Sequence, residues 1–135
     1  MELNIRRLND EDYSTLVKWW NDWGMESMPQ ELLPEDGTGG IMVLNKKEPI
    51  CAGFVYTTNS KIAWISWIIS SKTYNKKNRK EAINLLLTSL VSMCKDTGIK
   101  LIYGINNSNK FLTKKFIDIG FIKTKDKMTE LIKLI

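Results

Sequence analysis

The chain has 135 residues, 43% of them hydrophobic and 26% charged, which is the composition of a globular protein with one core and excludes extensive disorder. It contains no histidine, which excludes the commonest general base, the Ser-His and Cys-His nucleophile systems and most zinc sites, so we expect no metal. The net charge of +5 predicts an anionic partner, which could be nucleic acid, a phosphorylated cofactor or an acidic protein.

The first half of the chain predicts a strand, a helix, a loop and a meander of strands. Leu3 and Ile5 alternate with polar residues, as in a strand, and Asn9 with the acids after it begins a helix that Gly24 ends. Prolines and glycines make residues 25–40 a loop. Three predicted strands follow, at Ile41–Leu44, Ile50–Thr57 and Lys61–Ser70.

The second half alternates helices and strands. A helical period from Asn78 to Thr97 makes two adjoining faces apolar, which predicts a long and heavily buried helix. The remaining predicted elements are a strand, a helix and two last strands, at Ile99–Ile105, Ser108–Ile119, Phe121–Lys125 and Met128–Leu134. This order predicts a single α/β (α+β) domain over residues 1–135, with a mixed central sheet of about six to seven strands and helices on both faces.

The chain shows no signal for export. Residues 1–7 include no apolar signal region, and no stretch approaches the ~20 apolar residues of a membrane span. Cys51 and Cys94 each lie inside an apolar run, as reduced and buried thiols do. We therefore expect a cytoplasmic protein without a membrane partner.

Two segments resemble the signature motifs of the GNAT N-acetyltransferase superfamily. In that family a central strand runs into a loop of the form Arg/Gln-x-x-Gly-x-Gly/Ala that opens a long helix; here Trp64–Ser70 runs into Tyr74–Lys80 and a long helix. The family then has an Asn after the next strand, and a helix that ends in an aromatic residue, three residues and Gly-Phe. Here Asn106 and Asn107 follow the strand, and Phe116–Phe121 closes the helix. The resemblance implies the GNAT fold and acetyl-CoA as co-substrate.

The resemblance also implies where CoA binds. The two glycines of the family's loop fall on Asn78 and Lys80, so phosphate binding here depends on backbone amides, the helix dipole and basic side chains. In the family, pantetheine amides pair with the central strand where it splays from its neighbour. The cofactor residues implied are Ile68, Ile69, Ser70, Asn75, Lys76, Lys77, Asn78, Arg79, Lys80, Asn107 and Lys110.

GNAT enzymes let the amine attack the thioester directly, and this chain offers few groups for proton transfer. The tyrosine that often protonates the leaving thiolate is replaced by Phe116, so Tyr103 or Tyr74 is the candidate acid. The strand from residue 62 to residue 70 has no carboxylate. Ser66, which alternation places on the same face as Ile68, and a loop acid such as Glu35 are the candidates for assisting the amine.

The long loop is where the family's acceptor pocket often forms. Trp19 and Trp23 are four residues apart on the preceding helix, and Glu26 follows it, so we predict that these side chains bind the acceptor. The predicted activity is transfer of an acetyl group from acetyl-CoA to an amine of a small molecule, a protein or a nucleic acid.

Two other functions fit the same residues. The missing tyrosine, the missing strand carboxylate and the glycine-poor loop would suit a catalytically inactive GNAT-fold binding or inhibitor protein. The basic stretches at residues 72–80, 110–115 and 123–127 would suit a nucleic-acid-binding or nucleobase-modifying protein, although no recognised DNA-binding motif is present. Dimerisation is common in the family, so a homodimer stays open.

Overall fold

A computed structural model describes residues 1–106 and 109–135 of the chain, which form one mixed sheet with helices on both faces. The strands are β1 Leu3–Arg7, β2 Gly40–Asn45, β3 Glu48–Thr57, β4 Ile62–Ser70 and β5 Leu101–Gly104. The helices are α1 Tyr13–Asp22, α2 Lys76–Asp96 and α3 Lys110–Asp118. The sheet order is β1-β2-β3-β4-β5, antiparallel except for the parallel pair β4–β5.

A 3-10 turn at Asp10–Asp12 leads into α1 and is fixed by local hydrogen bonds. The side chain of Asn9 accepts a hydrogen bond from the amide of Glu11, and the carboxylate of Asp12 accepts one from the amide of Asn9. Arg6 of β1 donates two more to Asp12, at 2.7 and 2.9 Å. Burial opposes ionisation of Asp12, but the hydrogen bonds from Arg6 and Asn9 outweigh it and hold the pKa of Asp12 below its ordinary value.

The sheet separates two hydrophobic cores. One lies under α2 and α3 and includes Val43 and Ile65, whereas the other lies under α1 and includes Trp20 and Phe54. The prediction of helices on both faces is therefore confirmed. Both cysteine thiols are buried, and burial raises the pKa of each, so both stay protonated at neutral pH.

The end of the chain differs from the prediction. Residues 121–135 form no strand, so the described residues give a sheet of five strands instead of six to seven. Phe121 packs edge-on against Phe116, with ring centroids 4.9 Å apart, but residues 122–135 are exposed. The physical reason is that a strand needs a hydrogen-bonded neighbour, which an apolar pattern does not provide by itself.

The other elements lie close to their predicted positions. α2 begins at Lys76, earlier than predicted, so Lys76–Lys80 is helical and not part of the loop. α3 lies within the predicted Ser108–Ile119. None of the helices in the described part of the chain is both long enough and apolar enough to cross a bilayer.

Candidate functional site

A β-bulge interrupts β4. In the pairing with β3, Gly53 faces two residues of β4, Trp67 and Ile68. Trp67 has a φ of +57°, in the left-handed region that a bulky side chain rarely adopts. A Cβ at Gly53 would lie 2.4 Å from the end of the Ile68 side chain, so a larger residue opposite the bulge would force Ile68 to shift. Backbone strain of this kind concentrates at functional sites, so the bulge marks β4 as a candidate site.

β4 also separates from β5 near the bulge. The two strands pair from Ile62–Leu101 to Ile65–Gly104, where β5 ends while β4 continues to Ser70. Beyond Ile65, the edge of β4 on the β5 side pairs with no strand of the described chain. Backbone groups on this edge are therefore available to amide groups of a ligand. Ile68, Ile69 and Ser70, which the resemblance implies for pantetheine, lie in this stretch.

The start of α2 concentrates positive charge. The side chain of Asn75 caps the helix by accepting a hydrogen bond from the amide of Asn78. Lys76, Lys77 and Lys80 are exposed, the first turn has no acid, and the ion pairs found in residues 1–106 and 109–135 involve none of these lysines. Cations at a helix N-terminus oppose the helix dipole, so this arrangement costs stability unless an anion binds there.

α3 adds further cations to the same place. Lys80 of α2 and Lys115 of α3 lie over the ring of Phe111, with ammonium nitrogens 5.4 and 5.7 Å from its centroid. Lys110, the first residue of α3, is exposed. We call Lys76, Lys77, Lys80, Lys110 and Lys115 the basic cluster. Its charge and its position at a helix N-terminus suit a phosphate-bearing ligand.

Arg79 takes a different position from the one the resemblance implies. Its Nη1 donates hydrogen bonds to the carbonyl oxygens of Ser71, Lys72 and Tyr74, at 3.3, 3.0 and 3.2 Å. Its guanidinium also lies 5.5 Å from the ring centroid of Trp23. Arg79 therefore holds the loop between β4 and α2 in place through Nη1.

The three predicted acceptor-binding residues occupy different environments. Trp19 is buried in the core under α1, so its side chain cannot line an open pocket. Trp23 donates its indole N–H to the carbonyl of Ser70 at 2.8 Å, which places it beside the predicted cofactor residues. Glu26 is exposed in the segment after α1. The structure does not bring these side chains together in one pocket.

An open aromatic surface lies on the α1 side of the sheet. Ala63 and Ile65 face α2, so the alternating residues Trp64 and Ser66 point the other way. Trp64 stacks on Tyr103 of β5, with ring centroids 4.4 Å apart and planes inclined by 22°, and Tyr103 is 42% exposed. This surface brings together Ser66 and Tyr103, two of the three predicted catalytic residues.

Tyr56, which was not among the predicted site residues, completes this surface. The indole N–H of Trp67 donates to the Tyr56 hydroxyl at 2.9 Å, and that hydroxyl donates to the Leu32 carbonyl at 2.9 Å. Burial raises the pKa of Tyr56, although the hydrogen bond from Trp67 opposes the shift, so the hydroxyl is neutral at physiological pH. We call Tyr56, Trp64, Trp67 and Tyr103 the aromatic surface. Its sequence signal was a tyrosine at an alternating position of an apolar strand.

The bulge also changes which side chains share a face. Ile68 packs against the core under α2, whereas Ser66 points to the aromatic surface. The prediction that Ser66 and Ile68 share a face is therefore wrong, because one extra residue reverses the alternation of every residue after it.

Glu35 lies apart from the other predicted catalytic residues. Its carboxylate pairs with Arg7 of β1 at 2.8 Å, and both side chains are exposed. β1 forms the opposite edge of the sheet from β5, which carries Tyr103. The geometry does not bring Glu35 together with Ser66 and Tyr103.

Two residues of the segment that resembles the second family motif have structural roles in this protein. Phe116, at the position of the family's tyrosine, is 5% exposed and packs against Gly104 on the side of the sheet opposite to Tyr103. Asn106 accepts a hydrogen bond from the amide of Asn109 and so helps to start α3. Asn107, implied as a cofactor ligand, lies outside the described residues.

No protein-family model and no curated protein sequence matches the chain. Several solved structures, in contrast, are similar to it. A probable acetyltransferase from methicillin-resistant Staphylococcus aureus is 19% identical, with a TM-score of 0.68 over 98% of this chain and 99% of that one. The ribosomal-protein-S18-alanine N-acetyltransferase of Escherichia coli is 12% identical, with a TM-score of 0.66 over 91% of this chain and 79% of that one.

A longer protein contains a similar unit. N-acetylglutamate synthase from Neisseria gonorrhoeae, in complex with coenzyme A and L-arginine, is 13% identical, with a TM-score of 0.71 over 96% of this chain and 30% of that one. Likeness at these identities concerns the fold. The chain has the fold of the GNAT N-acetyltransferases, as its two motifs predicted.

Proposed function

We propose that the chain is an acetyl-CoA-dependent N-acetyltransferase that works by direct attack of an amine in a ternary complex. The observation that carries this proposal is the basic cluster at the start of α2, beside the open and bulged edge of β4. The acetyltransferases of the same fold support it, and so does the coenzyme A bound in one of them.

The residues present fit the chemistry of CoA. The basic cluster provides cations without carboxylate partners in the described chain, and CoA carries a pyrophosphate and a 3′-phosphate. The open edge of β4 from Ser66 to Ile69, together with the Ser70 amide, provides backbone donors and acceptors for pantetheine amides, whereas the Ser70 carbonyl already accepts from Trp23. When bound, acetyl-CoA would supply the activated thioester.

The aromatic surface would receive the acceptor. The Tyr56 hydroxyl already donates its proton to the Leu32 carbonyl, so its remaining lone pair would accept a hydrogen bond from the acceptor amine. Ser66 lies in β4 just before the bulge and would position the amine or a water. A thiol of pKa near ~8.5 is a tolerable leaving group, so positioning, which contributes up to ~7–11 kcal/mol, would carry most of the rate.

The first test is calorimetric titration with acetyl-CoA and with dephospho-CoA. We expect binding that weakens when the 3′-phosphate is missing. Lys76→Ala/Lys77→Ala should weaken acetyl-CoA binding about tenfold, since each lost charge-assisted contact on an exposed side chain is worth a fraction of the ~1.5–3 kcal/mol of a buried one. The same change should leave the free protein equally or slightly more stable, because it removes cations that oppose the α2 dipole.

Lys95→Ala/Lys100→Ala is the matched control, because it removes the same charge from exposed positions at the other end of α2 and beyond it. It should change neither the affinity for acetyl-CoA nor the affinity for dephospho-CoA. An acetyl-CoA affinity unaffected by the Lys76/Lys77 change, or no binding at all, would rule out the cofactor site proposed here.

A catalytically inactive binding protein is the second candidate, and the buried Phe116 favours it. Release of free CoA thiol in the presence of an amine panel separates the two functions. A panel of small-molecule amines, peptide N-termini and lysines, and nucleic-acid bases covers the acceptor classes proposed from the sequence. Acetyl-CoA binding without thiol release across that panel would favour the inactive protein.

A further inference from the structure

Three aromatic side chains lie in register across neighbouring strands of the sheet. Tyr56 of β3 is the direct partner of Trp64 of β4, and Trp64 is the direct partner of Tyr103 of β5. Because cross-strand partners point to the same side of a sheet, the three side chains form one row that spans two strand spacings of ~4.8 Å. We call Tyr56, Trp64 and Tyr103 the aromatic row. Its outer end is open, since Tyr103 is 42% exposed.

The aromatic row lies just before the edge proposed for the cofactor. The pair Ile65–Gly104 follows the pair Trp64–Tyr103 and is the last one between β4 and β5, after which β4 continues without β5. The proposed function puts pantetheine along that open edge, with the thioester at its end. A ring on the aromatic row would therefore hold its substituents close to the thioester.

The strand residues that share a face with the aromatic row are uncharged. Alternation puts Ile62 and Ser66 of β4 and Leu101 of β5 on this face. The chain has no histidine, and the Tyr56 hydroxyl already donates its proton to the Leu32 carbonyl. The described strands therefore offer an incoming amine no side chain on this face that would take up a proton.

This lack of a base distinguishes between classes of amine. An alkyl amine has a pKa near ~10, so it is a cation at pH 7 and must lose a proton before it can attack. An amine bonded to an aromatic ring is neutral at pH 7, because its lone pair is delocalised into the ring. Its planar ring also suits the aromatic row, where each aromatic contact contributes about two- to tenfold in affinity.

We propose that the acceptor is a small aromatic amine whose ring stacks on the aromatic row. This assignment rests on the proposed function and names its acceptor class. The amine donates one N–H to the remaining lone pair of the Tyr56 hydroxyl, and its nitrogen attacks the carbonyl carbon of the thioester. The new C–N bond forms and the C–S bond breaks, with its electron pair going to sulfur. The proton that the nitrogen loses ends on the thiolate, so the products are an N-aryl acetamide and free CoA.

Release of CoA thiol with three amines tests the proposal. Aniline is aromatic and neutral at pH 7, benzylamine is aromatic but protonated, and cyclohexylamine is protonated and has no aromatic ring. With saturating acetyl-CoA and the enzyme-free rate subtracted, kcat/KM for aniline should exceed that for either other amine by about tenfold or more. No enzyme-dependent release with aniline, or equal or faster release with either other amine, would overturn the proposal.

The two levels of the argument fail separately. The calorimetric titration tests acetyl-CoA binding with no amine present, so a missing cofactor site is seen there. Acetyl-CoA binding together with turnover of cyclohexylamine and not of aniline would keep the acetyltransferase and overturn the aromatic acceptor.

Tyr103→Leu tests the aromatic row. It keeps an apolar side chain at this exposed position but removes the ring, so the KM for aniline should rise about three- to tenfold without a change in the KM for acetyl-CoA. Tyr103→Phe keeps the ring and should raise the KM for aniline by less. The control Ile117→Ala removes a similarly exposed apolar side chain from α3, on the other side of the sheet, and should change neither KM. An unchanged KM for aniline in Tyr103→Leu would overturn the proposal.

Glu31→Gln tests whether an acid of the long loop acts as a base. Glu31 precedes Leu32, whose carbonyl accepts the Tyr56 hydroxyl, and its side chain is exposed. Because aniline needs no base before it attacks, this change should leave kcat for aniline unchanged. A fall of about a hundredfold, the typical contribution of a general base, would overturn the proposal.

Discussion

Replacing Arg79 with methionine tests how the loop between β4 and α2 is held. Nη1 of Arg79 donates to three carbonyl oxygens of that loop at 3.0–3.3 Å, and its guanidinium lies on the indole of Trp23. Methionine keeps the length of the stem and a good helix propensity, but it removes every donor. The change therefore isolates the hydrogen bonds from the packing.

The expected loss follows from the geometry. A hydrogen bond to a charged group contributes about 1.5–3 kcal/mol when well buried, but one nitrogen has only two protons for the three carbonyls, and the side chain is half-buried. We expect a loss of about 2 kcal/mol in the free energy of unfolding. For a domain of this size that lowers the melting temperature by about 6–10 °C.

Thermal unfolding followed by circular dichroism measures this loss, and Lys80→Met is the matched control. Lys80 is the next residue of α2 and is exposed, so its replacement should change stability by no more than about 0.5 kcal/mol. The opposite result would be an unchanged melting temperature together with weaker binding of acetyl-CoA but not of dephospho-CoA. It would show that Arg79 is a phosphate ligand and that the reasoning is wrong.

Three further changes test the packing, the chemistry and the electrostatics of the site. Gly104→Ala should cost about 1–3 kcal/mol in urea unfolding, because its Cβ would lie 2.6 Å from the Phe116 ring, and adding Phe116→Leu should recover part of that loss. Tyr56→Phe removes a hydroxyl that would accept a hydrogen bond from the amine, so steady-state kinetics should show the KM of the acceptor raised by about two- to tenfold with little change in kcat; an unchanged KM would exclude that contact. The pKa of Asp12 is lower in the folded protein than in the unfolded chain, where it is about 3.9. The stabilisation that the Asp12 carboxylate provides is therefore fully present above about pH 3.9 and disappears as the pH falls through the folded pKa. The stability gap between wild type and Asp12→Asn should therefore stay constant from about pH 7 to 5 and shrink below about pH 4; a gap that grows in acid would contradict the depressed pKa.

The sequence by itself determined most of the element order. Local signals act within a few residues: Asn9 and Asn75 begin helical segments, Gly24 follows the first helix and Gly98 the second, and apolar periodicity separates helices from strands. The two segments that resemble family motifs predicted the fold, and the lysines around Asn78 predicted the basic cluster.

Only the tertiary structure decided how the site is arranged. The bulge at Trp67 belongs to the pairing of β4 with the neighbouring strand, so nothing in the local pattern of β4 showed that Ser66 and Ile68 point to opposite faces. Tyr56 became a candidate because the bulge brings the Trp67 indole to its hydroxyl. The hydrogen bonds from Nη1 of Arg79 to three loop carbonyls also became visible only in the tertiary structure, because the sequence does not encode the direction of those carbonyls.

Residues 122–135, the last segment of the chain, show the same division most clearly. The apolar residues of this segment indicated strands, and local propensity supports that interpretation. A strand, however, exists only with a neighbour, because its backbone N–H and C=O groups need partners outside the segment. The sequence therefore determined that residues 128–134 are suited to pairing, whereas the tertiary structure decided that they find no partner within one copy of the described chain.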